Sequence, residues 1–172
     1  LPDPATGNYY LTTFTAGTSV ASMAALFDVV WYNTGLVVTT TTAQAITLPA
    51  LGARDTNGST NGEGWMAGIL VTTATTNASA VANTTLSYTD SDGNAGNTAT
   101  FFALAGFQAP VSPVIGTWMP FSWAASDRGI RALASITLGT SYVAGALSAV
   151  LYRPLAVVGV TTANVATTVV PT

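Results

Sequence analysis

A run of acidic and small residues at positions 90–94 has the clearest potential for metal chemistry in this sequence. Asp90-Ser91-Asp92-Gly93-Asn94 has the composition of the start of an EF-hand calcium loop. Such a loop needs a glycine at its sixth position and a bidentate glutamate at its twelfth. Counted from Asp90, those positions hold Ala95 and Phe101, so the calcium pattern fails. An Asp-Gly pair between β-prone segments is typical of a hairpin turn, and we predict a turn without a metal ion.

The sequence lacks the side chains on which most enzyme mechanisms depend. It contains no His and no Cys, which removes the commonest general base, the thiol nucleophile and any Ser-His-Asp triad. Catalysis by two carboxylates would require a set separation between them. The acids that could form such a pair lie in predicted turns, and no local spacing fixes one beside another: Asp55, Glu63, Asp90, Asp92 and Asp127. We therefore predict that the protein is not an enzyme and binds no cofactor.

The four arginines are interpreted as contacts between subunits. Arg128 and Arg131 lie beside Asp127 and could also form a local ion pair, whereas Arg54 precedes an acid in a loop. In a chain with 6% charged residues, arginine–carboxylate pairs more plausibly fix the register between subunits than bind a substrate. The candidate subunit-contact residues are Tyr9, Tyr10, Arg54, Glu63, Asp127, Arg128, Arg131 and Arg153.

A set of aromatic residues leaves two interpretations open. Its members could form a flat platform for a sugar, or they could pack in the core, which is the commoner arrangement. The set is Trp65, Trp118, Phe121, Trp123 and Tyr142. Buried tryptophans would favour a role in assembly, and exposed coplanar tryptophans would favour sugar binding.

The composition predicts a surface that is shared with neighbouring molecules. Charged residues make up 6% of the 172 residues, against about 25% in ordinary soluble domains, and there is no Lys. The chain instead contains 30 Thr and 29 Ala, and a neutral surface of this kind costs little to dehydrate. Depletion of charge is a feature of interface cores. A secreted β-protein with a neutral surface is the alternative.

Charge and hydropathy also exclude two classes of partner. The net charge of −3 argues against nucleic acid, since affinity for phosphates depends on Lys and Arg. No run of 18 or more apolar residues occurs, so we predict no membrane span, and no signal peptide is recognised.

The elements that would position these residues are mainly strands. Segments rich in Val, Thr and aromatic residues alternate with clusters of Gly, Asn, Asp and Pro, which is typical of β-strands joined by turns. The strands are predicted at residues 36–42, 65–76, 84–89, 98–104, 114–123, 130–138, 142–152 and 155–160. Pro154 is expected to end the strand before it. The fold class is therefore all-β, a single β-sandwich that is jelly-roll-like or, alternatively, immunoglobulin-like.

One short N-terminal helix is the predicted exception, from about residue 19 to residue 32. Its apolar residues recur at helical spacing after Ser19, which would cap the first turn, and Gly35 would follow its end. They are Val20, Met23, Ala24, Phe27, Val30 and Trp31.

The predicted domain organisation is an N-terminal arm at residues 1–17, a β-sandwich domain at 18–160 and a C-terminal arm at 161–172. Both extended terminal arms have too little apolar content to form a core, so they would be ordered by docking. Tyr9 and Tyr10 could anchor the first arm.

Several stretches between residues 26 and 155 resemble one known group of proteins. They are Leu26-Phe27-Asp28 with Trp31 and Gly35; the run from Asn83 to Asp90 that continues into Gly93 and Gly96; the segment Asp127 to Arg131; and Arg153-Pro154-Leu155. Together they resemble the virion structural proteins of tailed bacteriophages, of the capsid decoration or cement type. The chain departs from the pattern at Asn97, where an arginine usually follows the second glycine.

The resemblance implies a non-enzymatic subunit on the capsid or another surface of the virion. Its expected partners are copies of itself, in a symmetric homo-oligomer such as a trimer, and other virion proteins such as the major capsid protein. A protein of the tail, neck or fibre base is the nearest alternative. A carbohydrate-binding module for attachment to the host is the alternative from another class.

Overall fold

The computed structural model describes residues 11–101 and 110–170, and these residues form ten β-strands and no helix. The predicted all-β class is confirmed. The strands are β1 (Phe14–Ala16), β2 (Ser22–Leu36), β3 (Gln44–Ala45), β4 (Met66–Thr73), β5 (Thr85–Asp90), β6 (Asn97–Phe101), β7 (Trp118–Ser122), β8 (Ile130–Thr137), β9 (Ala146–Val160) and β10 (Thr167–Val169).

Eight strands form one sheet in the order β2-β9-β4-β7-β6-β5-β8-β3, and β1 pairs separately with β10. The pairs β4–β7, β4–β9, β5–β6, β5–β8, β6–β7 and β3–β8 are antiparallel. Several neighbours, such as β4 and β9, are far apart in the chain, as in Greek-key arrangements.

The chain divides into two compact units. One consists of Val29–Tyr152, and the other of Leu1–Asp28 together with Arg153–Thr172. Strands β2 and β9 contribute residues to both units. The predicted arm residues Tyr9 and Tyr10 lie outside the described residues.

The predicted N-terminal helix is wrong, because residues 22–36 form strand β2. Burial alternates along this strand: Leu26 and Val30 are half-buried, whereas Met23, Phe27 and Val29 are exposed. The half-buried apolar residues at 24, 26 and 30 fit a period of two as well, so the spacing was ambiguous. The β-branched and aromatic residues of the segment favour a strand, and β9 is available as its neighbour.

The predicted strand at residues 36–42 and the predicted strand end at Pro154 are also wrong. Residues 37–43 form a turn instead of a strand, because the Gln44 side chain bonds the backbone: Val37 N donates to Oε1 at 2.7 Å, and Nε2 donates to Val37 O at 3.1 Å and Thr40 O at 3.2 Å. Strand β9 continues through Pro154. Proline is tolerated in a strand where its missing N–H is not required by the ladder.

The Val29–Tyr152 unit has a single hydrophobic core. Alternate residues of its strands point into it, so that Leu86 and Tyr88 of β5 and Met119 and Phe121 of β7 are fully buried. Burying each large side chain of this kind contributes roughly 2–3 kcal/mol. The strand predicted at residues 84–89 is therefore confirmed as β5, with alternate residues buried.

The second unit contains the β1–β10 ladder, in which Phe14 faces Val169 and Ala16 faces Thr167. The hydroxyls of Thr15 and Thr168 are 2.7 Å apart, and Asn164 N donates to Thr18 O at 2.7 Å. The segments on either side of the large unit in the chain are thus paired with each other.

Candidate functional site

Three turn segments of the Val29–Tyr152 unit meet through backbone hydrogen bonds: residues 52–64, 90–97 and 123–131. Gly64 N donates to Arg128 O at 2.8 Å, and Ser91 N donates to Gly129 O at 3.1 Å. Gly129 permits this approach, since a Cβ there would lie 2.1 Å from Gly62 O. We call residues 52–64, 90–97 and 123–131 the turn cluster.

The Asp55 carboxylate organises the first turn. Buried within its own loop, it accepts hydrogen bonds from Ser59 N at 2.6 Å, Ser59 Oγ at 2.5 Å, Asn57 N at 3.0 Å and Glu63 N at 3.3 Å. Burial by itself would raise the pKa of Asp55, but the hydrogen bonds outweigh it and hold the pKa below its usual value. Asp55 is therefore a structural carboxylate, with its oxygens directed at its own loop.

Asp90 has the same role in the turn between β5 and β6. It accepts hydrogen bonds from Asn94 N at 2.8 Å, Asn94 Nδ2 at 2.9 Å and Asn97 Nδ2 at 3.3 Å. The Asn94 side chain, ahead of the opposing effect of burial, lowers the pKa of Asp90. The predicted hairpin turn is confirmed, and the Asn97 side chain closes it by donating to Asp90 and to Asn94 O.

Arg128 pairs with acids of two other turns. Its Nη2 lies 3.3 Å from Asp92 Oδ1, and its Nη1 lies 3.9 Å from Glu63 Oε1. The Arg128 side chain is 64% exposed, so each of its two ion pairs contributes about 1 kcal/mol or less. These contacts lie within one chain, so they stabilise the turn cluster before any partner binds.

Asp127 does not form the predicted local pair with Arg128 or Arg131 in the described part of the chain. Its carboxylate instead accepts a hydrogen bond from the Tyr88 phenol, whose oxygen also accepts one from Ala124 N at 3.1 Å. Burial, followed by the bond to Asp127, raises the pKa of Tyr88 to about 12. Local spacing does not indicate this pair, because 39 positions separate its members.

A shallow cleft of about 390 Å³ lies beside the turn cluster. It is lined by Leu48, Pro49, Ala50, Leu51, Thr60, Trp65, Thr89, Arg131 and Ala132. The lining is mainly apolar, and Arg131 is its charged member. Arg131 is exposed and has no ion pair with any residue in the ranges 11–101 and 110–170.

Arg54 and Arg153 have contacts of their own. The Arg54 carbonyl accepts a hydrogen bond from Trp65 Nε1 at 3.3 Å, which fixes the loop before Asp55. In the other unit, Arg153 Nη2 lies 3.4 Å from Asp28 Oδ2 and both side chains are largely covered. Of the candidate subunit-contact residues that the structure describes, Glu63 and Arg128 are thus brought together.

The aromatic set packs mostly in the core. Trp65, Phe121 and Tyr142 are fully buried, and Trp118 packs edge-on against Tyr152 with 4.7 Å between ring centroids. Trp123 is half-buried against the core. This arrangement supports the core-packing interpretation for the set.

The helix prediction missed a set of exposed apolar side chains, which lie on strand β2. Met23 is 73% exposed, Tyr32 65% and Val29 52%, while Phe27 is 38% exposed. Large apolar groups gathered on a surface commonly mark an interaction site. Alternation at period two could have found Met23, Phe27 and Val29, whereas Tyr32 is out of phase with them.

Neither a metal centre nor a membrane helix is found in the described part of the chain. No three acidic side chains there are close enough to hold a metal ion. No helix within the same residues is long and apolar enough to cross a membrane.

Comparison of the chain with protein-family models, curated proteins and solved structures finds no match.

Proposed function

We propose that this protein is a non-enzymatic structural subunit of the virion of a tailed bacteriophage, which decorates or cements the capsid. The observation that carries the proposal is strand β2, an edge strand whose large exposed side chains, such as Val29 and Tyr32, are apolar. In this proposal the antiparallel sheet is the jelly-roll-like body of the subunit. Copies of the chain form a symmetric homo-oligomer, such as a trimer, that sits on the major capsid protein.

The absence of protective charge on β2 supports this role. Soluble proteins usually guard an edge strand with Lys, Pro or other charged residues, because its free N–H and C=O groups would otherwise pair with another chain. Strand β2 contains one charged residue, Asp28, which is largely covered and lies 3.4 Å from Arg153. An edge of this kind is suited to permanent coverage by a neighbour.

The energetic basis is burial of neutral surface. Apolar area removed from water contributes about 25 cal/mol per Å². Since the chain has 6% charged residues, few ions must lose their water when two copies meet. The ion pairs of Arg128 are already made within the chain, so assembly need not form them.

Electron microscopy of virions that contain this chain tests the proposal. We expect density that fits the sheet at regular positions on the capsid surface, with β2 against a neighbouring subunit. Density at the tail, neck or fibre base would replace capsid decoration with the nearest alternative. Absence of the chain from purified virions by mass spectrometry would overturn the proposal. Specific binding of an oligosaccharide by the isolated protein would then favour a host-attachment module.

A further inference from the structure

The carboxylates of the described residues all have partners within the chain. Six of the seven acidic residues lie there. Their contacts are Asp28 with Arg153, Asp55 with Ser59, Glu63 and Asp92 with Arg128, Asp90 with Asn94, and Asp127 with Tyr88. Asp3 is the seventh, and it lies outside the described residues.

Arg131, unlike these carboxylates, has no oppositely charged partner among the described residues. It lines the apolar cleft with Leu48, Pro49 and Leu51, and no carboxylate among the described residues pairs with it. A Cβ built on Gly93 would lie 3.5 Å from its Nη1 atom, so the guanidinium lies beside the β5–β6 turn. A positive group thus lies at the margin of an apolar cleft.

We propose that this cleft binds residues 1–4 of a neighbouring copy, with the Asp3 carboxylate on the Arg131 guanidinium. This inference rests on the proposed function, because it supplies the contact by which one subunit holds the next. The segment Leu1-Pro2-Asp3-Pro4 places one carboxylate among three apolar side chains. That pattern matches a cleft with one cation among apolar residues.

The chemistry of the segment suits such docking. Two prolines favour an extended polyproline conformation, which loses little conformational entropy when it enters an apolar groove. The cleft volume of about 390 Å³ falls within the range of ordinary binding pockets. Ten residues precede Leu11 in the sequence, and such a length reaches up to about 35 Å when extended.

Disulfide trapping tests the contact directly, since the chain contains no cysteine. Asp3→Cys and Arg131→Cys are prepared separately, mixed and mildly oxidised, and the linked pair is quantified by non-reducing gel and mass spectrometry. The matched control mixes Asp3→Cys with Arg128→Cys, which alters another exposed arginine of the turn cluster. We expect the Arg131 pair to form several-fold faster than the control. Equal rates, or trapping solely within one chain in the double variant, would overturn the proposal.

Charge exchange separates this inference from the proposed function. Asp3→Arg and Arg131→Asp should each weaken self-association about three- to ten-fold, and the double variant should restore it. Arg131→Gln provides a neutral substitution with less risk to folding. Self-association that is unchanged in all these variants overturns the Asp3–Arg131 contact alone. A wild-type chain that neither self-associates nor occurs in virions overturns the proposed function as well.

Discussion

The Tyr88 phenol donates a hydrogen bond to the Asp127 carboxylate and accepts one from Ala124 N, which connects β5 to the turn after β7. Tyr88 is fully buried, so its hydroxyl must find partners inside the protein. This small network joins the core to the turn cluster and holds Asp127 away from the neighbouring arginines. It explains why residues that are adjacent in the sequence need not pair.

Removing the phenol oxygen should destabilise the fold without changing its shape. Tyr88→Phe leaves the Asp127 carboxylate without this donor and the Ala124 N–H without this acceptor, at a cost of about 1–3 kcal/mol. Urea unfolding monitored by circular dichroism measures the change. Ser126→Ala is the control, because the exposed Ser126 Oγ makes a 3.3 Å contact with the same carboxylate. Equal stability of Tyr88→Phe and the wild type would contradict the role given to this network.

Stability should fall in acid because of Asp55 and Asp90. Both pKa values are lowered in the folded protein below the ordinary 3.8, so the unfolded chain binds protons first as the pH falls. The stabilisation is complete above about pH 3.8 and is lost as the pH drops through the folded values. Unfolding free energies across this window check the sign.

Asp55→Asn should be less stable than the wild type at neutral pH and should lose less stability on acidification. The amide keeps one acceptor oxygen but cannot serve the four donor contacts of the loop equally well. Parallel curves for the two proteins between neutral pH and the acid limit would contradict the assignment.

The protein should unfold at alkaline pH as its buried tyrosines ionise. The pKa values of Tyr88, Tyr142 and Tyr152 are raised to about 12, mainly by burial, against an ordinary 10.0. Since the folded state resists ionisation, the stabilisation is complete below about pH 10 and is lost as the pH rises toward 12. Phenolate absorbance and circular dichroism should therefore change together in this range. Full ionisation of all tyrosines near pH 10 in a protein that remains folded would contradict their burial.

Two glycines of the sheet provide a matched test of packing. A Cβ on Gly68 would lie 2.8 Å from Trp118 Cζ2 and 3.1 Å from Met119 O, so Gly68→Ala must displace the indole. We expect a loss of about 1–3 kcal/mol. Gly159→Ala in β9 meets nothing within 4 Å and should be neutral or slightly stabilising. The difference is measured by thermal and urea unfolding, and equal effects at both positions would contradict the packing of Trp118 on β4.

Local patterns predicted much of the sheet. Asp-Gly at residues 92–93 located the β5–β6 hairpin, and the β-prone residues at 84–89 located its first strand. The same reasoning failed at β2, because its apolar residues fit both the helical period and the period of two of a strand. The neighbouring strand β9 favours the strand. It also failed at Pro154. A strand can contain a proline where the ladder does not require an N–H donor, and local sequence does not reveal such positions.

The site was less accessible to sequence reasoning, because its contacts join distant positions. Arg128 and Asp92 are 36 residues apart, and nothing in their local spacing indicates the pair. The turn that Asp55 organises is easier to predict from the sequence, since Asp, Asn, Ser and Gly together favour such turns. That Arg131 would remain without a carboxylate among the described residues could not be predicted, because it depends on where the five acidic side chains of the same unit point.

The central claim is that the exposed apolar side chains of β2, Tyr32 among them, are covered by a neighbouring copy of the chain. Sedimentation velocity over a concentration series tests it with Tyr32→Lys, which places a charge at a position that is 65% exposed. Val114→Lys is the control, because Val114 is a loop residue that is 68% exposed. We expect the wild type and Val114→Lys to form the same oligomer and Tyr32→Lys to dissociate at about ten-fold higher concentration or more. A wild type that remains monomeric throughout, or an oligomer that Tyr32→Lys leaves intact, would contradict the claim.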